Sequence, residues 1–412
     1  MQTFLNAQQT KILDGKKSVR LHGVNFGGWL MMEGYIMYAP NIAERIFKKN
    51  FADALGSAAL QEFEKIFRAN FIQERDFKTV ADLGFNCVRV PFNSRLVEKS
   101  PGRYDLDGVR YLDEVVRWGE KRGVRVILDL HAACGAQNHD WHSDSLGPAD
   151  LWQKKSLQDR TVALWEFLAD RYKDKKAVAG YDLLNEAVLD DTKLLNRFYK
   201  RLIKAIRAID RRHILFVEGN RWAQDLECLE PFDDDNLVLS IHFYEPLNFT
   251  FNLVPHFRYP IKSPEYPVSI APAFQKIDFD RTTIQKMMEA YKKSADKQQR
   301  PVYVGEFGVN YREGYYGEDQ WLKDALDCFT DLGFHWTYWT YKAMKNGIIP
   351  DGVFSYYHNP PWVNRHGPRY GWDNYATHWP SRQREVAESW QTNFFKVNTK
   401  VAEALTKAAQ KT

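Results

Sequence analysis

Two glutamates stand where apolar runs give way to polar sequence: Glu186 in AGYDLLNEAV (179–188) and Glu306 in PVYVGEFG (301–308). The first run stops at Asn185-Glu186 without the glycine or proline that usually closes a strand. A pair of carboxyls can share one reaction. The protonated member gives its proton to a departing oxygen, and the ionised member attacks carbon. At a separation of about 5–5.5 Å, such a pair is suited to cleaving a glycosidic bond with retention of configuration.

Other apolar runs close on residues of the same character: Asn25 with Glu33 just beyond, Arg89, His131, His242 with Tyr244, and Trp339. A guanidinium and a phenol beside a carboxylate keep it ionised, and Arg89 and Tyr244 are the candidates. The other carboxyl needs less compensation and a nearby negative charge, so that it holds its proton near neutral pH. Asn185 can donate to a sugar 2-hydroxyl, a contact that strengthens in an oxocarbenium-like transition state. Trp339, or alternatively Trp336, offers a flat apolar face for a sugar ring. Glu218, closing HILFVEG, is a third carboxylate at this level and reads as a group that orients a neighbour.

Residues so far apart in sequence must be gathered by the fold. Eight β-rich runs recur, at 19–26, 85–92, 125–131, 179–186, 213–219, 236–244, 301–307 and 335–342. Their apolar content is nearly continuous, as strands covered on both faces require. Helical spacing fills the intervals at 60–83, 109–122, 157–172, 193–209, 282–295 and 319–332, and a last helix is expected over 382–409. Glycines follow several of these as C-terminal caps. Repeated strand–helix alternation predicts an α/β fold, a (β/α)8 TIM barrel whose strand ends converge on one bowl. The Asp14-Gly15 turn predicts an N-terminal hairpin closing the opposite end. Two long connections, 245–280 and 343–381 (with Trp362, Trp372 and Trp379), belong at the active face. No repeat or linker marks off a second unit, so residues 1–412 read as a single catalytic barrel domain.

Composition narrows the partners. A net charge of +4 without a dense basic block gives no indication of nucleic acid. No apolar run approaches the roughly 20 residues that span a bilayer. The first residues, MQTFLNAQQT, lack a signal-peptide profile, which fits either a cytoplasmic protein or a mature secreted form. The four cysteines form no CxxC pair, so neither a metal clip nor a dense disulfide framework is expected. His139, Asp140, His142 and Asp144 fit no strong metal signature and read as a solvated loop of the active face. No cofactor is called for. Aromatic residues at 15%, including 13 Trp and 21 Tyr, suit stacking against sugars.

Taken together, the motifs resemble glycoside hydrolase family 5, within the TIM-barrel retaining glycosidases. The likeness runs from GVNFGGWLMMEG (23–34) to WTYWTYK (336–342). GVNFGGWL, LDLHAACGAQN (128–138) and WTYK place it nearest the branch of exo-β-1,3-glucanases. The resemblance implies that Glu186 is the acid/base and Glu306 the nucleophile. It implies that Arg89, His131, Asn185, His242, Tyr244 and Trp339 surround the sugar being cleaved, and that Glu33 holds hydroxyls of a terminal sugar. Ala187 stands where the family usually has Pro, and HDWHSD (139–144) replaces a more neutral, glycine-containing stretch.

The implied activity is double-displacement hydrolysis of a β-glucoside or β-glucan from a chain end, in the manner of a β-1,3-glucanase or β-glucosidase. Three alternatives stand beside it: an endo-β-1,4-glucanase with an open cleft, a glycosidase of glycolipids or disaccharide conjugates, and a non-catalytic carbohydrate-binding barrel. The last fits poorly with two retained glutamates. A phosphate-binding isomerase fits poorly too, since no glycine-rich phosphate loop follows the seventh or eighth run. The expected partner is a carbohydrate; oligomeric state is not encoded in any motif.

Overall fold

The computed structural model describes residues 2–37, 39–254, 257–262, 278–344, 347–356 and 371–411. Eight parallel strands close into a barrel: β1 (His22–Asn25), β2 (Cys87–Asn93), β3 (Arg125–Ala132), β4 (Val178–Asp182), β5 (Ile214–Glu218), β6 (Leu237–Phe243), β7 (Val302–Phe307) and β8 (His335–Tyr338). They follow one another around the barrel in sequence order, and β8 pairs back onto β1. Every residue of these eight strands is buried. A side-chain-filled interior and a ring of outer helices demand this, and it explains the unbroken apolar runs. The fold is a (β/α)8 TIM barrel.

Helices Leu106–Arg122, Lys155–Tyr172, Thr192–Arg207, Arg281–Lys297 and Glu318–Leu332 lie where the spacing places them. Leu106–Arg122 begins on the Asp105 side chain and ends at Gly123, whose φ of 72° closes the helix in the left-handed region. Two expected helices are each divided. The segment over 60–83 is Ser57–Phe71 followed by Glu74–Asp82, because Gln73 and Asp76 form a capping box that starts a new helix. The segment over 382–409 is Gly371–Ser389 followed by Thr399–Gln410. Between them, Trp390 is buried against Phe63, Phe67 and Trp379, and Lys396–Val397 pairs with Phe354–Tyr356. A further helix, Glu44–Leu55, was not anticipated; it buries Phe47 and Phe51, one turn apart.

Two strands end before their apolar runs do. Strand β4 ends at Asp182 and not at Glu186, so the catalytic-looking dipeptide lies in the turn beyond it. Strand β8 ends at Tyr338, and Lys342–Met344 joins a separate small sheet. The N-terminal hairpin, Lys11–Asp14 with Lys17–Val19, carries a third strand, Leu5–Gln8. Leu5, Ala7 and Ile12 pack with Cys87, Ile127, Ile214 and Tyr303, sealing the end of the barrel away from the bowl.

Trp362 and the stretch 263–277 lie outside the described residues, as does the Trp372 side chain. Trp379 is buried against Phe51 and Phe63, away from the bowl. Among the described residues, no helix is long and apolar enough to cross a membrane.

Candidate active site

The C-terminal ends of the strands surround a cavity of about 310 Å³. Glu33, His131, Glu186, Tyr244, Glu306 and Trp339 line it, whereas Arg89, Asn185 and His242 lie behind its wall. Glu306 is the penultimate residue of β7, and the barrel closes tightly around it. A Cβ on Gly305 would come within 3.0 Å of His242 Nε2, and one on Gly308 within 2.2 Å of the Trp339 carbonyl oxygen.

Arg89, on β2, is fully buried and organises the floor. Its guanidinium donates to Glu306 Oε1 at 2.7 Å, Asp182 Oδ2 at 2.8 Å, Asn185 Oδ1 at 2.8 Å, Glu218 Oε1 at 3.0 Å and Asn25 Oδ1 at 3.1 Å. Asp129 Oδ2 lies 3.1 Å away. Burial alone would weaken the guanidinium's hold on its proton, but four surrounding carboxylates overcome that and keep it charged. The other oxygen of Glu306 accepts from Tyr244 Oη at 2.8 Å. Glu306 thus has the guanidinium and the phenol that an ionised carboxylate requires.

Glu186 occupies a constrained turn. Its φ of 48° lies in the left-handed region, which costs a non-glycine residue about 1–2 kcal/mol. Two contacts hold it there: its N–H donates to Glu218 Oε2 at 2.6 Å, and its carbonyl accepts from Asn138 Nδ2 at 2.9 Å. Glu218 is therefore an orienting group, and Ala187 leads away from a turn fixed by side chains. On the carboxylate, Oε1 lies 2.7 Å from His242 Nδ1, and Oε2 lies 3.4 Å from His142 Nε2. A carboxylate oxygen of Glu186 is within 4.8 Å of one of Glu306.

The electrostatics of Glu186 differ from expectation. Burial would raise its proton affinity, but the His242 hydrogen bond and the charges of His242 and His142 hold the carboxyl at about 2. The protons lie on the imidazoles instead. Burial disfavours a charged His242, yet Glu218, Glu306 and Glu186 raise it well above the ordinary histidine range. The free site holds an ion pair joined by a short hydrogen bond, along which one proton can shift.

Glu33 behaves in the opposite way. Burial, with Glu306 and Glu186 nearby, pushes its carboxyl up to about 8 despite the opposing charge of His142. A carboxyl raised on folding contributes stability that is full below its ordinary value of 4.5 and is lost as pH rises through 8. Glu33→Gln is therefore expected to narrow the drop in melting temperature between pH 4.5 and pH 8, read by thermal melts at each pH.

Beside Glu33, His131 is neutral: burial drives it well below the usual histidine range, and Asp129 Oδ2 stands 2.8 Å from its Nδ1. Its ring stacks on Trp339 at 5.4 Å, and the indole N–H of Trp339 donates to the Tyr35 hydroxyl. Trp336, the alternative platform, is buried outside the bowl against His22 and Phe307. Asn185 spends its oxygen on Arg89 and leaves Nδ2 buried without a partner.

Several residues went unrecognised in the sequence. Asp129 lies inside β3 and Asp182 ends β4, and their signal was a charge within an otherwise apolar run. Tyr35 and Trp222 carried no spacing signal. The 139–144 stretch corrects the picture of a solvated loop. His139 is exposed, but His142 and Asp144 are buried, and Asp144 pairs with Arg45 and Arg95 at 3.1 and 3.2 Å.

Comparison with known proteins gives the family and the fold. The family model described as Cellulase (glycosyl hydrolase family 5) matches residues 52–345. A Beta-xylosidase of Phanerodontia chrysosporium is 33% identical over 357 residues, 83% of this chain and 71% of its own. Endoglucanase C of Acetivibrio thermocellus is 27% identical, over 78% of this chain and 91% of its own. A probable glucan 1,3-beta-glucosidase A of Aspergillus niger is 29% identical over 56% of each chain. Among solved structures, Thermotoga maritima Cel5A in complex with cellobiose shares the fold, with a TM-score of 0.60 and 20% identity over 93% of this chain and 96% of that one. With the family model spanning most of the barrel and these relatives beside it, the chain belongs to glycosyl hydrolase family 5 and is a glycoside hydrolase.

Proposed function

We propose that the protein is a retaining β-glycosidase acting at the end of a β-glucoside or β-glucan, and that residues 1–412 work as one catalytic unit. The observation that carries this reading is the Glu186–Glu306 approach within 4.8 Å. So close an approach suits a retaining pair, whose carboxyls stand about 5–5.5 Å apart, better than an inverting pair at about 6.5–9.5 Å.

Glu306, hydrogen-bonded to Arg89 and Tyr244, is the nucleophile and forms the glycosyl-enzyme ester. Glu186, hydrogen-bonded to His242 through Oε1, protonates the departing oxygen and then deprotonates the incoming water. Asn185 Nδ2, buried and unpaired, is the donor for the sugar 2-hydroxyl. Trp339 is the platform for the ring, with His131 and Glu33 on its hydroxyls.

Contacts linking Tyr35, Trp339, His131 and Glu33 close one part of the wall, which favours a pocket for a chain end over an open cleft. The names of the relatives span endoglucanase, glucan 1,3-beta-glucosidase and beta-xylosidase, so a β-xyloside is a second candidate substrate.

Product analysis on aryl β-glucosides, aryl β-xylosides and β-1,3-, β-1,4- and β-1,6-glucans tests the reading. Monosaccharide with retained configuration in the first-formed product is expected; an early ladder of oligosaccharides would overturn the exo assignment, and an inverted first product the mechanism. Glu186→Gln is expected to lower kcat/KM by about 10²–10⁴-fold on substrates whose leaving group needs a proton. The loss should shrink for dinitrophenyl glycosides.

A further inference from the structure

Glu186 is held between two histidines, one on each carboxylate oxygen. His242 comes from β6, and His142 from the short turn Trp141–Ser143 after β3. Two aromatic rings pack against His142. Its ring meets His131 at 5.8 Å and Trp141 at 5.7 Å, both edge to face. The turn ends at Asp144, which accepts from the Arg45 N–H at 2.9 Å and pairs with the Arg45 and Arg95 side chains. Asp140 Oδ2 stands 3.6 Å from His142 Nε2 and accepts from the Trp222 indole N–H at 2.8 Å.

The turn that carries Trp222 is unusual. Arg221, Trp222 and Ala223 all lie in the left-handed region, with φ of 53°, 56° and 59°. L-residues avoid that region, and consecutive ones do so more strongly. Strain of this kind persists where surrounding contacts impose it, and here the turn carries a 42% exposed indole to the mouth of the cavity. Trp222, Asp140, His142 and Glu186 thus form one connected line from the mouth to the carboxylate.

We propose that His142 is a positioning residue for Glu186, holding a proton at Oε2 for delivery to the departing oxygen, with Asp140 and Trp222 fixing its ring. The proposal deepens the reading of Glu186 as the acid/base and rests on it. The groups facing His142 are Glu33 from the loop after β1, His131 from β3, Asp140 from its own turn and Glu186. Burial works against a charged His142, but Asp140, Glu186 and Glu33 together push it up to about 9. The imidazole is therefore charged where Glu186 is not protonated.

The proton path balances. His142 Nε2 passes its proton to Glu186 Oε2, which passes it to the glycosidic oxygen. The C1–O bond breaks with its electron pair going to that oxygen, while a Glu306 oxygen bonds to C1. The aglycone leaves as an alcohol. Water then attacks C1, the ester bond breaks with its pair returning to Glu306, and the water proton goes to Glu186 and back to His142.

The test is a comparison of dinitrophenyl and methoxyphenyl β-glucosides in the full-length chain. In His142→Gln, the ratio of kcat/KM on the dinitrophenyl substrate to that on the methoxyphenyl substrate is expected to rise about tenfold. Asp140→Asn keeps an acceptor for Trp222 but removes the anion that favours charged His142. It is expected to move the basic limb of the kcat/KM profile to lower pH, by about one unit. An unchanged ratio in His142→Gln, or an unmoved basic limb in Asp140→Asn, overturns the proposal. Glu186→Gln run in parallel separates the two claims. If it leaves the ratio unchanged, the acid/base assignment itself fails; if it raises the ratio while His142→Gln does not, only the role of His142 fails.

Discussion

Glu306→Ala is expected to lower kcat on the order of 10⁶-fold, the scale on which a covalent nucleophile is lost from an otherwise intact site. Arg89, Tyr244 and Glu186 still surround the sugar, so protonation of the leaving group survives, but no atom is left to bond with C1. The truncation opens space on that face, and azide can enter it. The glycosyl azide formed by Glu306→Ala should have inverted configuration, because the small anion attacks from the nucleophile's side and leaves no second displacement. In Glu186→Ala, azide intercepts the ester from the opposite face and should give the retained azide. Measuring the anomeric configuration of the two azides by NMR checks both roles at once. Near-wild-type turnover in Glu306→Ala, or the two configurations exchanged, would show that the roles are wrong.

Arg89→Met should unfold the protein more readily than any other single change in the bowl. The side chain is completely buried and donates to five acceptors, three of them carboxylates, with Asp129 close by as a fourth. Methionine fills similar space but leaves those carboxylates buried without a cation. Breaking a buried ion pair in this way costs about 3–5 kcal/mol. The loss is read from denaturant unfolding as a lower midpoint with an unchanged slope. Activity should fall as well, since Glu306 and Asn185 both lose the group that aims them. Arg89→Lys restores the charge but not the geometry: an ammonium has three donors on a flexible stem, and it cannot reach Asp182, Glu218 and Glu306 in one plane. A lysine variant as stable as wild type would mean that charge alone, and not the guanidinium fork, organises the floor.

Much of this site is legible in the sequence because barrel strands are short, apolar and punctuated. Arg89, His131, Glu186, His242, Tyr244 and Glu306 each sit within four residues of a strand's last position, so finding the strand end finds the residue. The same logic preferred Trp339 to Trp336 without separating them fully. Both lie in one run, and only the exit of β8 at Tyr338 turns Trp339 to the cavity and leaves Trp336 outside. It failed for the divided helices, where Gln73 with Asp76, and Trp390 with its aromatic neighbours, interrupt a periodicity that runs straight through.

The sequence by itself determined the eightfold strand–helix alternation, the parallel barrel and the pair of glutamates facing one bowl. These follow from local periodicity and from residue type at strand ends, and neither depends on distant contacts. The protonation pattern was beyond its reach. Nothing in HDWHSD or IHFY announces that two imidazoles close on opposite oxygens of Glu186, or that Glu33 is desolvated enough to hold its proton to about 8. Proton affinity depends on burial and on charges a few ångströms away, which residues distant along the chain supply only once the barrel has closed. Long-range packing therefore decided where the protons sit among Glu33, Glu186 and the histidines, whereas residue type and spacing had already brought the glutamates to one bowl.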